Sequence, residues 1–388
     1  MNFITKTLVV YFAVIGLLVN FAGVLGYSLF PNYFHEYYWK VNDKLTRYYY
    51  QVSGRKPAST KVIGTLEAIN SNFKPWKPNY RKDLAGPGEI LIGDRHFKTL
   101  KSASNALIDG SVLLLGAGIY HEGILIGKNN VHLIGNGHVI FEGASIKGKG
   151  SIITKGNNTS ISNIECRDVS VADGNGACVR HEGLGLSLDS VYFHDSEEGV
   201  LSGKKKGYDE VTITNSRFEN LGNKGSAHGI YVGGGYLKIV DSLFLSSRRE
   251  GHEIKSRAES TKIERSVIAS LGGKDSRLID IPNGGRVLIA NSVLEQGPVS
   301  INGDMIGYGL EGVSYKNNQV ILQGNIIILE RNRGNRLFHS AAGLPEPVAS
   351  KNIIISSTQP GLDGTNYLFK TRKAAGMKPF PFLPPIPE

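Results

Sequence analysis

Between residues 228 and 280 the chain carries His228, Tyr231, His252, Lys255, Arg257 and Arg277, residue types that move protons and hold carboxylates. Their intervals are as telling as their types. His228 and His252 stand 24 residues apart, and Lys255 and Arg277 stand 22 apart. In a chain that winds with a period near those intervals, each pair lies side by side on adjacent coils. β-Elimination on a uronic acid needs three groups: a base for the proton beside the carboxylate, a cation that neutralises the carboxylate, and an acid for the leaving oxygen. Lys255 or His252 fits the base, Arg257 or Arg277 the cation, and Tyr231 or His228 the acid. A C5 epimerase uses the same groups and returns the proton to the opposite face of the ring. Arg180, Arg249, Glu253 and Asp280 are candidates to bind the rest of a polar ligand. The plainer reading is a solvated ladder of charges, since Glu253, Lys255 and Arg257 alternate as residues of an exposed strand do.

The elements that must position these groups repeat. A short polar turn recurs at Asn136, Asn163, Asp189, Asn215, Asp241, Arg265 and Asn291, in steps of 27, 26, 26, 26, 24 and 26 residues. Two residues before the turn stand Ile134, Ile161, Ile213, Ile239, Ile263 and Ile289; three after it stand Val139, Cys166, Phe218, Phe244, Ile268 and Leu294. The Asp189 repeat fits with a one-residue offset, through Leu188 and Phe193. Asn and Asp tolerate left-handed backbone better than any residue but glycine, so each anchor reads as a sharp bend between two short strands. One coil cannot bury its apolar side alone, whereas coils stacked about 4.8 Å apart place like over like. The reading is an all-β, right-handed parallel β-helix, since parallel crossovers favour that hand. The strand of each coil that lies away from the turn then carries the groove, near Ala177–Arg180, Gly199–Ser202, Gly229–Val232, His252–Lys255 and Arg277–Asp280.

The opening of the rod runs from Phe97-Lys98-Thr99-Leu100 through Gly110-Ser111-Val112-Leu113-Leu114-Leu115 and Gly118-Ile119-Tyr120-His121-Glu122 to Val131-His132-Leu133-Ile134-Gly135. A short helix there would cap the open end of the stack. This segment resembles the opening of the pectate-lyase-like right-handed β-helix superfamily, in which a helix, a Gly-bounded strand, a Gly-x-Tyr-x-Glu turn and a Leu-x-Gly strand follow in that order. The resemblance spans roughly residues 90–335. It implies the fold and a polysaccharide ligand, but no single reaction, because that superfamily includes lyases, hydrolases, epimerases and non-enzymatic tailspikes. Glu253-Ile254-Lys255-Ser256, followed one coil later by Arg277, resembles alginate and chondroitin lyases of this fold. The stretches His228–Gly233, Lys255–Ala258 and Ile281–Gly285 are similar to a group of bacterial β-helix proteins.

The remainder sets the context. From Leu8 to Gly26 the only strongly polar residue is Asn20, and nineteen residues at about 1.5 Å rise reach across a hydrocarbon core. An uncleaved transmembrane anchor is expected over residues 1–30, followed by an amphipathic juxtamembrane helix and linker over 31–89 that begins with Tyr33, Phe34, Tyr37, Tyr38 and Trp39. Lys40, Lys44 and Arg47 lie after the span, which by the positive-inside rule argues against export. A surface glycan argues for it, and the bulk of the chain is expected in the periplasm or outside the cell. The helix is expected over 90–335, with a long loop at 298–319 and a C-terminal cover and Pro-rich tail over 336–388. Cys166 and Cys178 exclude a disulfide-rich scaffold, and Cys166 is expected as a packed apolar residue rather than a disulfide partner. No cofactor is expected; calcium would have to use Asp173, Glu197, Glu198 and Asp209. The net charge of +10 suits an acidic partner, but nucleic acid is not expected, because the repeats lack interleaved aromatics. Two functions follow: a lyase or C5 epimerase on an acidic polysaccharide, or a non-catalytic glycan- or protein-binding scaffold of envelope assembly.

Overall fold

A computed structural model of the protein describes residues 68–203, 209–331, 334–358, 362 and 364–387. The expected membrane span and juxtamembrane helix lie outside the described residues. Among the described residues no helix is long and apolar enough to cross a membrane.

The backbone coils through three strands per turn. The first face of the rod is a sheet of nine strands, from Ile124–Ile126 through Ala177–His181, Glu198–Ser202, Ile230–Val232, Ile254–Ser256 and Ile279–Ile281 to Arg336–Ser340. The second face stacks strands such as Glu210–Thr214, Tyr236–Val240 and Ser260–Glu264, and the third stacks Arg217–Glu219, Leu243–Leu245 and Val267–Ala269. Neighbouring strands on every face are parallel, apart from an antiparallel cap at the start. Stacking runs on past residue 335, through Arg336–Ser340, Val348–Ser350, Ile353–Ser356 and Tyr367–Phe369. The expected 298–319 loop contains a buried strand, Asp304–Tyr308, whose Tyr308 fills the interior.

The bend between the second and third faces is the repeating turn. Asn163, Ser190, Asn215, Asp241, Arg265 and Asn291 all adopt left-handed backbone, with φ between 44° and 55°. Ser190 replaces the anticipated Asp189, which agrees with the offset seen in that repeat. The position continues as Gly324 and Lys351. A serine follows four of these turns, and its hydroxyl does two jobs. The Ser216, Ser242, Ser266 and Ser292 hydroxyls each accept the buried N–H of the preceding coil at 3.1 Å, and each donates to a carbonyl two residues back. Asn325 and Asn352 carry the ladder on through their side-chain oxygens. A second left-handed turn, invisible in the sequence pattern, closes the third face at Asp168, Asp195, Asn220, Ser246 and Leu271.

Inside, pairing aligns Phe141, Cys166, Phe193, Phe218, Phe244, Ile268 and Leu294 in one column. Phe218 and Phe244 stack with centroids 4.6 Å apart, and Phe193 meets Phe218 edge-on. The first repeat departs from the expected register: Leu133 and Phe141 occupy the columns assigned to Ile134 and Val139. The cause is the eleven-residue strand His132–Glu142, which bends at Gly137 rather than at Asn136. The cysteines also depart from expectation. Cys166 and Cys178 form a disulfide, their Cα atoms 5.8 Å apart, because the third-face strand of one coil and the following first-face strand bring both side chains into the same buried interior.

Both flanks are covered. The helix α1 (Leu100–Ala106), capped by Thr99 and Ser102, sets Leu100 and Ala103 over the first coil. Residues 68–85 form a strap along the outside. Ile69 and Phe73 pack with Leu245, Val267, Val293, Ile328 and the tail residue Leu383, and Asn72 donates to the Leu383 carbonyl at 2.6 Å. From there Trp76 reaches Ser190, Asn79 pairs with Asn163, and Arg81 N–H reaches Asn136, so the strap climbs the turns back to the first coil.

Two substitutions test this register by denaturant midpoint. Phe244→Ala should cost about 3–5 kcal/mol, because the stacked rings above and below cannot close the gap. Ser266→Ala should cost about 1–3 kcal/mol by orphaning the buried Ser242 N–H. Wild-type midpoints in both variants would rule the columns out.

Candidate functional site

On the outer side of the first face two columns of side chains run along the rod. Pairing carries one column through Arg180, Leu201, Tyr231, Lys255, Asp280, Gly307 and His339. Three residues earlier on each coil stand Glu198, His228, His252, Arg277, Asp304 and Arg336. The spacing argument thus brings His228, Tyr231, His252, Lys255, Arg257 and Arg277 together. The imidazoles of His228 and His252 stack at 4.9 Å, and His228 meets Tyr231 edge-on at 5.9 Å.

Backbone geometry sets the tautomer of His228. The His252 N–H donates to His228 Nδ1 at 3.2 Å, and a nitrogen that accepts carries no proton, so the His228 ring holds its hydrogen on Nε2. His252 Nδ1 meets both the Arg277 N–H at 3.1 Å and the Arg277 carbonyl at 3.2 Å, so it can accept from the one or donate to the other. Burial makes both rings hard to charge, and the nearby cations add to it. His228 is held well below the usual histidine range, and His252 falls to about 4 despite the opposing pull of Asp280.

Charge alternates along the rod. Lys255 Nζ lies 3.2 Å from Asp280, Asp280 lies 3.3 Å from Arg277, and Asp304 binds Arg277, Arg336 and His339. Arg277 lies across Gly307, where a Cβ would come within 2.8 Å of its side chain. Arg257 follows the Lys255 strand. Its Nε–H donates to the Tyr231 hydroxyl at 2.7 Å and its Nη1 to Asn283 at 2.6 Å. Lys255 and Arg257 then converge on one carboxylate, that of Glu311, with Lys255 at 2.7 Å. Burial opposes ionisation of Glu311, but the two cations outweigh it and hold the carboxyl down to about 2.

Three anticipated ligand contacts sit elsewhere. Glu253 does not alternate outward with Lys255. It is buried and accepts from the Ser247 N–H and hydroxyl, because the chain turns into the strand at that point. Arg249 sits in the turn before the strand and reaches Asn223. Arg180 is on the outer column, two coils from Tyr231, near Glu182. The acids set aside for calcium do not meet. Glu197 is taken up by Ser170 and by the N–H groups of Val171 and Gly176, and Asp209 by His181 and Gly185. Among the described residues no three metal-capable side chains converge. Glu198 is fully buried beside His228, and burial pushes its carboxyl well above the usual range. Glu311, Asn283, Asp304 and His339 were missed. Adding one period to Arg277 would have found Asp304; Glu311 reaches the site through a loop and leaves no periodic signal.

Buried groups on either side of this face give stability opposite pH slopes. A base that folding makes harder to protonate stabilises above its ordinary 6.5, and that contribution fades as pH falls toward 4. Buried Asp275 and Glu295 are pushed up by desolvation to about 7 and about 8, so their contribution is present in acid and fades as pH climbs through those values. The two contributions overlap between about pH 4 and 6.5, so variants separate them in urea midpoints: His252→Asn should remove the gain between pH 4 and 6.5, and Glu295→Gln should lessen the loss as pH rises toward 8; slopes unaltered in these variants would reject the assignment.

No protein-family model matches this sequence, and no curated protein matches it either. Among solved structures the chain is similar to the pectate lyase Pel9A, with a TM-score of 0.43 and 14% identity over 70% of this chain and 73% of that one. It is also similar to ORF18 of Geobacillus virus E2, at 0.44 and 15% over 74% and 59%, and to an alginate lyase from Paenibacillus sp. str. FPU-7, at 0.42 and 16% over 70% and 95%. Among the described residues the strand pairing itself is that of an all-β parallel β-helix.

Proposed function

We propose that the outer side of the first face binds an acidic polysaccharide and acts on it as a lyase or C5 epimerase, from a tethered position at the cell envelope. The observation that carries the reading is the convergence of Lys255 and Arg257 on a single carboxylate, beside Tyr231 and the stacked imidazoles of His228 and His252. Arg257 suits the carboxylate clamp better than Arg277, which is committed to Asp280 and Asp304. Lys255 or His252 would take the proton, and Tyr231 or His228 would supply one to the leaving oxygen. The Tyr231 oxygen accepts from Arg257, which leaves its own O–H free to donate. A buried disulfide fits an oxidising compartment, where such bonds persist. The +10 charge fits an acidic polymer.

The self-contained ladder from Lys255 through Asp280 and Arg277 to Asp304 favours a second reading, a rod that holds glycan without turning it over. One assay separates them. The full chain is incubated with alginate, polygalacturonate and hyaluronate, following ultraviolet absorbance of unsaturated ends, exchange of the C5 proton, and binding. A lyase gives absorbance, an epimerase gives exchange alone, and a scaffold gives binding alone. Arg257→Ala should weaken binding by about tenfold or more, the loss of a charge-assisted hydrogen bond, with little change in melting temperature. Failure to bind any of the three polymers would sink both readings.

A further inference from the structure

The segment from Gly309 to Asn318 leaves the first face two coils beyond Lys255 and folds back over it, across roughly 10 Å of stacked strand. Left-handed backbone at Gly309 (φ 72°) and Gly312 (φ 103°) makes the reversal. Its ends are anchored, by the Gly309 N–H donating to Ile281 O and by Asn318 Oδ1, which accepts from the Gly285 N–H and the Tyr308 hydroxyl. Between them the crossing is held by single hydrogen bonds: the Glu311 N–H donates to Pro282 O, the Ser314 N–H to Asn283 O, Asn283 Nδ2 to Gly312 O, and the Tyr315 hydroxyl to Arg257 O. Residues 311–314 are exposed, Val313 included. What the loop delivers is the Glu311 carboxylate, itself 46% exposed, to Lys255 and Arg257, which are 12% and 24% exposed.

Stability alone is a poor explanation for that arrangement. Exposed ion pairs contribute about 0–1 kcal/mol, and Lys255 already has Asp280 as a partner. The geometry is instead that of an occupied site: two cations closed on one carboxylate, with the Tyr231 hydroxyl held against Arg257. We propose that Glu311 stands in for a ligand carboxylate, so that Lys255 and Arg257 form a carboxylate subsite that opens when an acidic polymer displaces the 309–318 loop. The inference rests on the first face being the ligand face and adds to it how the site is gated. A tethered occupant competes at a high effective concentration. A single uronic acid is therefore a weak competitor, whereas a polymer that also engages neighbouring coils displaces the loop. The site selects for chain length without a dedicated end pocket.

The test compares the full-length wild type with Glu311→Gln and Arg257→Ala by calorimetry against alginate, polygalacturonate, their carboxyl-reduced forms and monomeric galacturonate. Glu311→Gln should bind the acidic polymers about tenfold or more tightly, as expected for removal of a charge-assisted competitor, and should gain measurable affinity for the monomer. Carboxyl-reduced polymers should show no gain. In the wild type, saturating acidic polymer should speed hydrogen exchange at the amides of Glu311 and Ser314, a readout that stands even if the variant folds poorly. Equal affinity in wild type and Glu311→Gln, with exchange unchanged, overturns the gate; a loss in Arg257→Ala would then leave the ligand face intact. A gain shared by the carboxyl-reduced polymers overturns the carboxylate assignment. No binding by any protein to any polymer overturns the gate and the ligand face together.

Discussion

The structure depends on one constraint: at each corner of the coil the backbone bends sharply inside a packed rod, where an unpaired N–H costs on the order of 1–3 kcal/mol. The serine ladder meets it. Each hydroxyl takes the N–H of the coil before and gives its hydrogen to its own coil, so the corners are satisfied only when successive turns lie in register. A one-residue slip would break the bond that each hydroxyl makes to the coil before it and would also move Phe218 off Phe244. Register at the corner therefore fixes register everywhere, including on the first face, where the stacked histidines and the Lys255–Asp280 contact follow from it.

That dependence gives the ligand face its character. Tyr231, Lys255 and Asp280 are placed by strands, and His228, His252 and Arg277 by the segments that enter those strands; their charges are paired along the rod axis, so they need little reordering to receive a ligand. Arg257 and Glu311 lie past the strands, in turns. The rod supplies a fixed array of donors, and the turns at its edge supply the adjustable contacts. The same division bears on His228: once its Nδ1 is taken by the His252 backbone N–H of the next coil, the fold itself selects its tautomer.

Much of this was legible in the sequence, because a solenoid converts spacing into proximity. The turn at Asn163, Asn215, Asp241, Arg265 and Asn291 and the aromatic column at Phe218 and Phe244 could be read directly, as could the approach of His228 to His252. The misreadings share a physical cause: they lie where the chain is not periodic. Glu253 points inward because consecutive residues both face the interior where the chain enters the strand, which breaks the simple alternation. Val139 and Ile134 were misassigned because the first strand turns at a glycine and not at the asparagine. The disulfide was missed because twelve residues of separation say nothing about whether two strands of one coil face each other across its interior. Glu311 was out of reach because its contact with Lys255 spans 56 residues and a loop reversal.

The strap has a consequence for how the molecule is made. Asn72 and Leu383 hydrogen-bond across 311 positions, and Ile69 and Phe73 rest on strands that include Val267, Val293 and Ile328. The strap is synthesised before any of the surface it covers, so it waits, undocked, while the coils stack behind it. Its landing site exists only once the later coils and the tail are in place. Docking thus reports completion: a chain cut short or stalled leaves an apolar stripe bare, open to proteases and to neighbouring chains. The covering of the third face is in effect a seal applied to finished molecules.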